Sequence, residues 1–342
     1  SAASSPMGCR MLEHGGRLRL AAEQWGVPLA DWVDLSTGIN PDAYPVPPLP
    51  ADCWRRLPEE NDGLEAAAAA YYGNPNLLAL PGSQAAIQWL PALLPRAAVV
   101  CLTPIYAEHP QAWERAGHKL RRLPGATLSR ALAAATPNIL LCNPNNPTAR
   151  QFTRQELLDA AAQLKRRGGR LVVDEAFGDT DPANCVADVA GTEAAPNLIV
   201  LRSLGKFFGL AGARVGFLFA PPELRACMAE AIGPWALSNP ARAVAAAALA
   251  DHDWQAATRI KLAAARERLG AILAPLGEGT DHTLFHWLPC VDAVALYDFL
   301  AQRGILVRLF ADIPGLRFGL PGSKPEWQRL AAAINQWKAE TP

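Results

Sequence analysis

Between residues 63 and 235, apolar runs of strand length alternate with alanine-rich runs of helical length, and this alternation restricts the fold more than any other feature of the chain. "LEAAAAAYYG" (64–73) reads as a helix closed by a glycine, and "QAAIQWLPALL" as a second helix. "AAVVCL" (97–102), "NILLC" (138–142), "GRLVVDEA" (169–176), "NLIVL" (197–201) and "RVGFLFA" (214–220) read as strands. "TRQELLDAAAQLKRRG" (153–168) carries its own boundaries: Thr153 as N-cap, Glu156 completing a capping box, and a terminal glycine. Strands separated by helices of this length predict an α/β fold with a mostly parallel sheet.

After Pro234 the pattern changes. Long helical stretches at 241–250 and 254–274 lead to "TLFHWL", a helix at 291–303, "GILVRLF", "LRFGL" and a final helix over about 325–338. The reading is an N-terminal arm (1–44) packed on a smaller domain, a large domain (45–235) and that smaller α+β domain (236–342). A chain of 342 residues, half of them hydrophobic, can build both cores. Lysine plus arginine balances aspartate plus glutamate at 32 each, and no basic stripe with interleaved aromatics occurs, which argues against a nucleic-acid partner. The dense basic spots at 55–56, 121–122 and 165–167 read as solvated faces or ends of elements. Seven scattered cysteines without a C-x-x-C fit a reducing, cytoplasmic setting and no metal site. No apolar run reaches the ~18 residues of a membrane span. "SAASSP" lacks the apolar core of a signal peptide, and Met7 reads as the natural start. "HTLFH" (282–286) has two histidines four apart but no metalloprotease glutamate, so both read as core or surface residues.

The chemistry collects at strand ends. "CNPNNPT" (142–148) is a polar turn after a strand, and "VVDEAF" (172–177) puts Asp174 at the end of an apolar strand. Burying such a carboxylate is costly without a partner. "RSLGKFFGLAGARVGF" (202–217) then sets Lys206 among small and apolar residues, with Arg214 eight positions on. A lysine so placed is either an ordinary loop lysine or an amine whose pKa is lowered for nucleophilic chemistry. In open α/β sheets ligands bind beyond the carboxyl ends of strands. Pyridoxal phosphate explains the whole set, because it needs an amine, an anion for its ring nitrogen, a donor for its ring oxygen and phosphate ligands. Lys206 and Asp174 are the catalytic pair. Asn146 suits the ring oxygen, and Ser203 and Arg214 suit the phosphate. "LPGSQAAIQWL" (80–90) opens a helix whose free N–H groups at Ser83 and Gln84 favour that phosphate, and Tyr106 in "TPIYAEH" suits the ring face.

The order N-P-N-N-P-T, D-E-A-F, S-x-x-K and then arginine resembles the fold-type I pyridoxal-phosphate enzymes, the aspartate aminotransferase superfamily. The intervals are 28 residues from Asn146 to Asp174, 32 to Lys206 and 8 to Arg214. The resemblance covers roughly residues 8–338 and implies homodimers with shared active sites. Two departures stand out. Phe177 replaces a tyrosine that in many members bonds the ring oxygen, which leaves Asn146 as the main partner there. Leu57, in "LPE", replaces a tyrosine that reaches the neighbouring subunit's cofactor phosphate, which puts that cross-subunit contact in question.

Outside the cofactor core, "HGG" (14–16), "DLSTGINPD" (34–42), "GPWALSNPA" (233–241) and "GILVRLFADIPGLRFGL" (304–320) resemble the threonine-phosphate decarboxylase branch, which serves cobalamin biosynthesis. That resemblance implies a small phosphorylated amino acid as substrate, with contacts at His14, Gly15, Gly38, Asn146, Arg308 and Arg317. Arg317 is then expected at the α-carboxylate and Arg308, with the His14–Gly15 segment, at the phosphate. For His14 a helix-capping or packing role stands beside the functional one. A histidinol-phosphate-type aminotransferase and a non-catalytic binding protein of the same fold are the alternatives.

Overall fold

The structure is a computed structural model that describes residues 12–341; the "SAASSP" segment, Met7 and Cys9 lie outside the described residues. Its centre is a sheet of seven strands: β2 (Leu77–Leu80), β3 (Ala98–Thr103), β4 (Lys119–Pro124), β5 (Asn138–Cys142), β6 (Arg170–Asp174), β7 (Leu198–Ser203) and β8 (Gly216–Phe219). A short strand, β1 (Val33–Asp34), precedes them in the chain. The spatial order is β2-β8-β7-β6-β5-β3-β4. All neighbours are parallel except where β8 meets β7 and β2.

Period-two geometry explains why these strands read as continuous apolar runs. Val100, Ile139, Leu141, Val173 and Val200 point to one face, where they join Leu157, Ala160 and Leu164 of the helix Arg154–Arg166. Val99, Leu140, Val172, Ile199 and Leu218 point to the other, against Ala86, Ile87 and Leu90 of the helix Ser83–Leu93. With helices on both faces, no strand position is spared from burial in the middle of the sheet. The capping box expected at the first of these helices is present, with Thr153 and Glu156 bonded reciprocally. The two strands of this sheet that the apolar pattern did not reveal are β2, which is only four residues long, and the edge strand β4. Arg121 and Arg122 of β4 are exposed, as the basic dipeptide suggested.

The C-terminal part forms a second, antiparallel sheet from β9 (Thr280–Asp281), β10 (Phe285–Pro289), β12 (Arg308–Phe310) and β13 (Gly315–Gly319). Between them β11 (Ile305–Leu306) pairs in parallel with β1, so residues 33–34 are tied to residues 305–306. Arg308 and Arg317 stand directly opposite each other in the β12–β13 ladder. No helix among the described residues is long and apolar enough to cross a membrane. The six described cysteines are free thiols.

Candidate active site

The ends of β5, β6 and β7 form one edge, and the chain after each end supplies the site. Asp174 closes β6 and is buried. One carboxylate oxygen lies 2.7 Å from Nε2 of the buried His109, and the other accepts the Ala176 N–H at 2.9 Å. The cost of burying this carboxylate is thus offset by a charge-assisted bond and a backbone donor. Cys142 lies beside the pair, close enough for a three-residue metal set. Burial, with Asp174 next, pushes its thiol well above the usual range, which makes it a poor metal ligand.

Lys206 follows β7 in a loop held down at several points. Ser203 Oγ accepts the Gly205 N–H at 3.0 Å, and the carbonyl of Lys206 accepts the Asn40 N–H at 2.9 Å. Asn40 Nδ2 also donates to the Phe207 carbonyl at 2.9 Å. The "STGIN" segment therefore braces the lysine loop from outside the sheet. Burial and the Arg317 and Arg214 charges, against the pull of Asp174, bring the Lys206 amine from 10.5 to about 8. Its Nζ stands 5.5 Å from the Phe177 ring centroid. Of the two readings open for this lysine, the structure supports the lowered amine.

Gly82 turns β2 into the helix Ser83–Leu93 with φ +79°, a left-handed conformation that favours glycine. That helix has no side-chain cap and no acidic residue in its first turn, and the N–H groups of Ser83 and Gln84 have no hydrogen-bond partner among the described residues, which leaves them to an anion. Arg214 closes the cup: a Cβ at Gly82 would stand 2.7 Å from its Nη2. β8 presses against the same turn, where a Cβ at Gly216 would lie 2.4 Å from the Ser83 nitrogen. Gln84 adds a further tie, its Oε1 accepting the Tyr106 hydroxyl at 3.1 Å.

Arg317 approaches from the antiparallel sheet. One Nη donates to Asn146 Oδ1, the other to the Ser36 carbonyl at 2.9 Å, and Nε has no partner among the described residues. Burial, and then the charge of Arg308, lowers this guanidinium to about 10. Asn146 is left with its amide N–H groups, the donors a ring oxygen needs. Residues 15–16 pack on the same Ser36: Gly16 donates to its Oγ at 2.9 Å, and a Cβ on Gly15 would stand 2.3 Å from its carbonyl oxygen. Gly38 is as tight, with 2.7 Å from such a Cβ to the Phe177 ring. Arg308 is already engaged, donating from Nη2 to the Glu13 carbonyl at 2.7 Å. His14 caps no helix: the N-cap of Leu18–Trp25 is Arg17, while His14 Nε2 lies 2.6 Å from Glu108 Oε1.

The structure thus gathers Ser83, Gln84, Tyr106, Asn146, Asp174, Ser203, Lys206 and Arg214 around one strand-end edge, with His14, Gly15, Gly38, Arg308 and Arg317 meeting it from the arm and the second sheet. Sequence reading missed His109, Glu108 and Ser36. His109 and Glu108 sit within the very stretch that yielded Tyr106, but no spacing rule joins residue 109 to residue 174. Among the described residues neither histidine of "HTLFH" belongs to a metal-type cluster: His282 bonds the Phe177 carbonyl at 3.1 Å, and burial lowers it to about 4.

This donor set fits pyridoxal phosphate. A lowered amine, a paired buried carboxylate, a glycine cradle beside an arginine and a buried guanidinium with an unused N–H stand together, and the two buried cations are costly to the fold without an anionic ligand to meet them.

The description of the aminotransferase class I and II family matches residues 58–336. A threonine-phosphate decarboxylase of Pseudomonas aeruginosa is 48% identical over 330 residues, covering 96% of this chain and 98% of that protein. A threonine-phosphate decarboxylase of a Sinorhizobium species is 40% identical, covering 94% and 97%. In fold, a histidinol-phosphate aminotransferase of Sinorhizobium meliloti in complex with pyridoxal-5'-phosphate superimposes with a TM-score of 0.85 at 23% identity, covering both chains in full. An L-threonine-O-3-phosphate decarboxylase of Porphyromonas gingivalis gives a TM-score of 0.72 at 21% identity, covering 89% and 98%.

Proposed function

The chain belongs to the class I and II aminotransferase family, and we propose that within it the protein is a pyridoxal-phosphate-dependent decarboxylase of L-threonine O-3-phosphate. Its product is (R)-1-amino-2-propanol O-phosphate, which supplies the aminopropanol arm of the cobalamin nucleotide loop. The observation that carries this reading is the pair Arg308 and Arg317, opposed in one ladder at the site, with Arg308 donating to the carbonyl of Glu13, the residue before His14. A substrate with a carboxylate at one end and a phosphate at the other needs two such cations.

When bound, the cofactor supplies an electron sink for the pair left on Cα as the carboxylate departs. Lys206 would carry the cofactor covalently, and Asp174, steadied by His109, would hold its ring nitrogen. Asn146 would serve the ring oxygen, Tyr106 the ring face, and Ser83, Gln84, Ser203 and Arg214 the phosphate. On the substrate, Arg317 holds the α-carboxylate, with Gly38 and Asn146 alongside, and Arg308 with His14 and Gly15 holds the phosphate. Fixing both ends selects which bond of Cα is turned for cleavage. Lys206 would also be the group that returns a proton to Cα.

In this reading the enzyme works in the cytoplasm as a homodimer with shared sites, built from the arm, large domain and small domain that the sequence suggested. Exposed Trp54, Leu57 and Trp235 support a partner surface, and exposed Arg214 leaves room for one. The test is to incubate the protein and cofactor with O-phosphothreonine, with and without 2-oxoglutarate. Carbon dioxide and aminopropanol phosphate, independent of 2-oxoglutarate, are expected. Glutamate from histidinol phosphate with no carbon dioxide would make it an aminotransferase, and failure to take up the cofactor colour would make it a non-catalytic binder.

A further inference from the structure

A buried carboxylate at the mouth of an anion site needs an explanation, because it repels the ligand the site is built for. Glu108 is such a group. It opens the helix Glu108–Arg115 and is only 9% exposed. Oε1 meets His14 Nε2 at 2.6 Å, and Oε2 accepts Gln88 Nε2 at 3.0 Å. Gln88 is oriented in turn by Arg115, which donates to its Oε1 at 3.2 Å. Among the described residues His14 is the only ion-pair partner of Glu108.

We infer that Glu108 is a positioning residue for the substrate phosphate: it fixes the His14 imidazole through Nε2 so that the ring, and not the carboxylate, meets the phosphate. The geometry allows this division. Nδ1 of His14 has no hydrogen-bond partner among the described residues, so it is the ring's free polar atom. The imidazole lies 5.9 Å, centroid to centroid, from Tyr106, which is tied to the cofactor cup through Gln84. Glu13, next in the chain, is held by Arg308 at 2.7 Å. Residues 13–14 are thus clamped between the large-domain helix and the antiparallel sheet. Arg308 secures the backbone and Glu108 secures the side chain. Only a ring protonated at both nitrogens donates from Nε2 to Glu108 and from Nδ1 to the phosphate at once, and in that form the imidazole stands as a cation between the carboxylate and the phosphate.

This inference rests on the phosphorylated substrate proposed above, and the experiment separates the two. The probe is isopropyl phosphate, an alkyl monophosphate with neither amine nor carboxylate, titrated by calorimetry into the cofactor-loaded enzyme. Its competition against O-phosphothreonine turnover is measured in parallel. Glu108→Gln keeps the shape and removes the charge, and it should weaken the probe and raise KM by about tenfold or more, the scale of one lost charged hydrogen bond. kcat at saturation should change by less than about threefold, because Glu108 does not touch the reacting atoms. Glu108→Asp should recover part of the affinity. His14→Ala should cause a similar loss, and adding Glu108→Gln to it should cost little more, since the two act as one unit. Multiplying losses in the double variant, or a fall in kcat with KM and probe affinity unchanged, would overturn the assignment. If wild-type enzyme binds the probe through Glu108 and His14 yet releases no carbon dioxide from O-phosphothreonine, the positioning role stands and the reaction proposed above fails.

Discussion

Lys206→Met should make the cofactor-free protein more stable while ending its activity. The lysine amine is brought from 10.5 to about 8 chiefly by burial, then by Arg317 and Arg214. A depression of about 2.5 units is worth about 3 kcal/mol at ~1.4 kcal/mol per unit. The folded value lies below the unfolded one, so the unfolded chain holds the proton more tightly. Below about pH 8 both states carry the charge and folding bears the full penalty. Between about pH 8 and 10.5 the native state sheds its proton first, and the penalty fades. Methionine removes the charge at similar length, and no hydrogen bond of the described residues uses Nζ, so no partner is orphaned. The lost contact with the Phe177 ring offsets about 0.5–1 kcal/mol. The net gain at neutral pH is then about 2–3 kcal/mol, or about 3–4 °C in Tm at ~2.1 cal/mol/K per residue. Urea unfolding of wild-type and variant apoprotein at neutral pH and again near pH 10 checks it. The gap should be largest at neutral pH and should shrink as the pH rises. A variant less stable than wild type, or a gap that ignores pH, would mean that the amine is not held down by its surroundings.

Other consequences can be measured on the loaded enzyme. Asp174→Asn removes a charged hydrogen bond of about 1.5–3 kcal/mol, so single-turnover carbon dioxide release should slow by at least tenfold; unchanged chemistry would mean that another residue faces the ring nitrogen. Gly82→Ala forces a side chain into φ +79° and toward Arg214, at about 1–3 kcal/mol of strain. Cofactor affinity, read by absorbance titration, should drop about tenfold or more, and an unaltered affinity would remove this turn from the phosphate cup. Arg308→Ala should raise KM for O-phosphothreonine far more than for threonine; an equal effect on both would detach Arg308 from the phosphate.

The cofactor core was legible because its residues are fixed to features with a sequence signature. Asp174, Ser203 and the "CNPNNPT" turn sit at or just beyond the ends of strands, so the apolar runs that reveal the strands also reveal the ends. Gly82 announces the cup because only glycine tolerates that turn. The second sheet was visible as a change of pattern, and β12 and β13 were among its apolar runs. What could not be read were pairings across the chain. His109 matters through Asp174, 65 residues away, and Glu108 through His14, 94 residues away. Neither contact leaves a local mark, since a buried carboxylate and an imidazole obey no periodicity. β4 was hidden for a related reason: as an edge strand with exposed arginines it has little apolar face to show.

The two ionisable residues that sequence reading missed share a property with a functional consequence. The groups expected to touch ligand, Lys206 and Arg317, are cations lowered by burial, and neither has an ion-pair partner among the described residues. The ionisable groups that sequence reading missed, His109 and Glu108, each form instead a carboxylate–imidazole contact with a residue of the predicted site. A site for a doubly anionic substrate and an anionic cofactor must leave its own cations uncompensated, because internal partners would compete with the ligands. The two buried acids are the danger in such a design, as either could capture Lys206 or Arg317. Each is met by a histidine instead, at 2.7 Å for Asp174 and 2.6 Å for Glu108. A histidine satisfies the acid without adding a second permanent charge, so the strongly basic groups stay free. On this argument, exchanging His109 for a lysine would damage the site less by volume than by placing a fixed cation where the field now favours the ligand-facing amine.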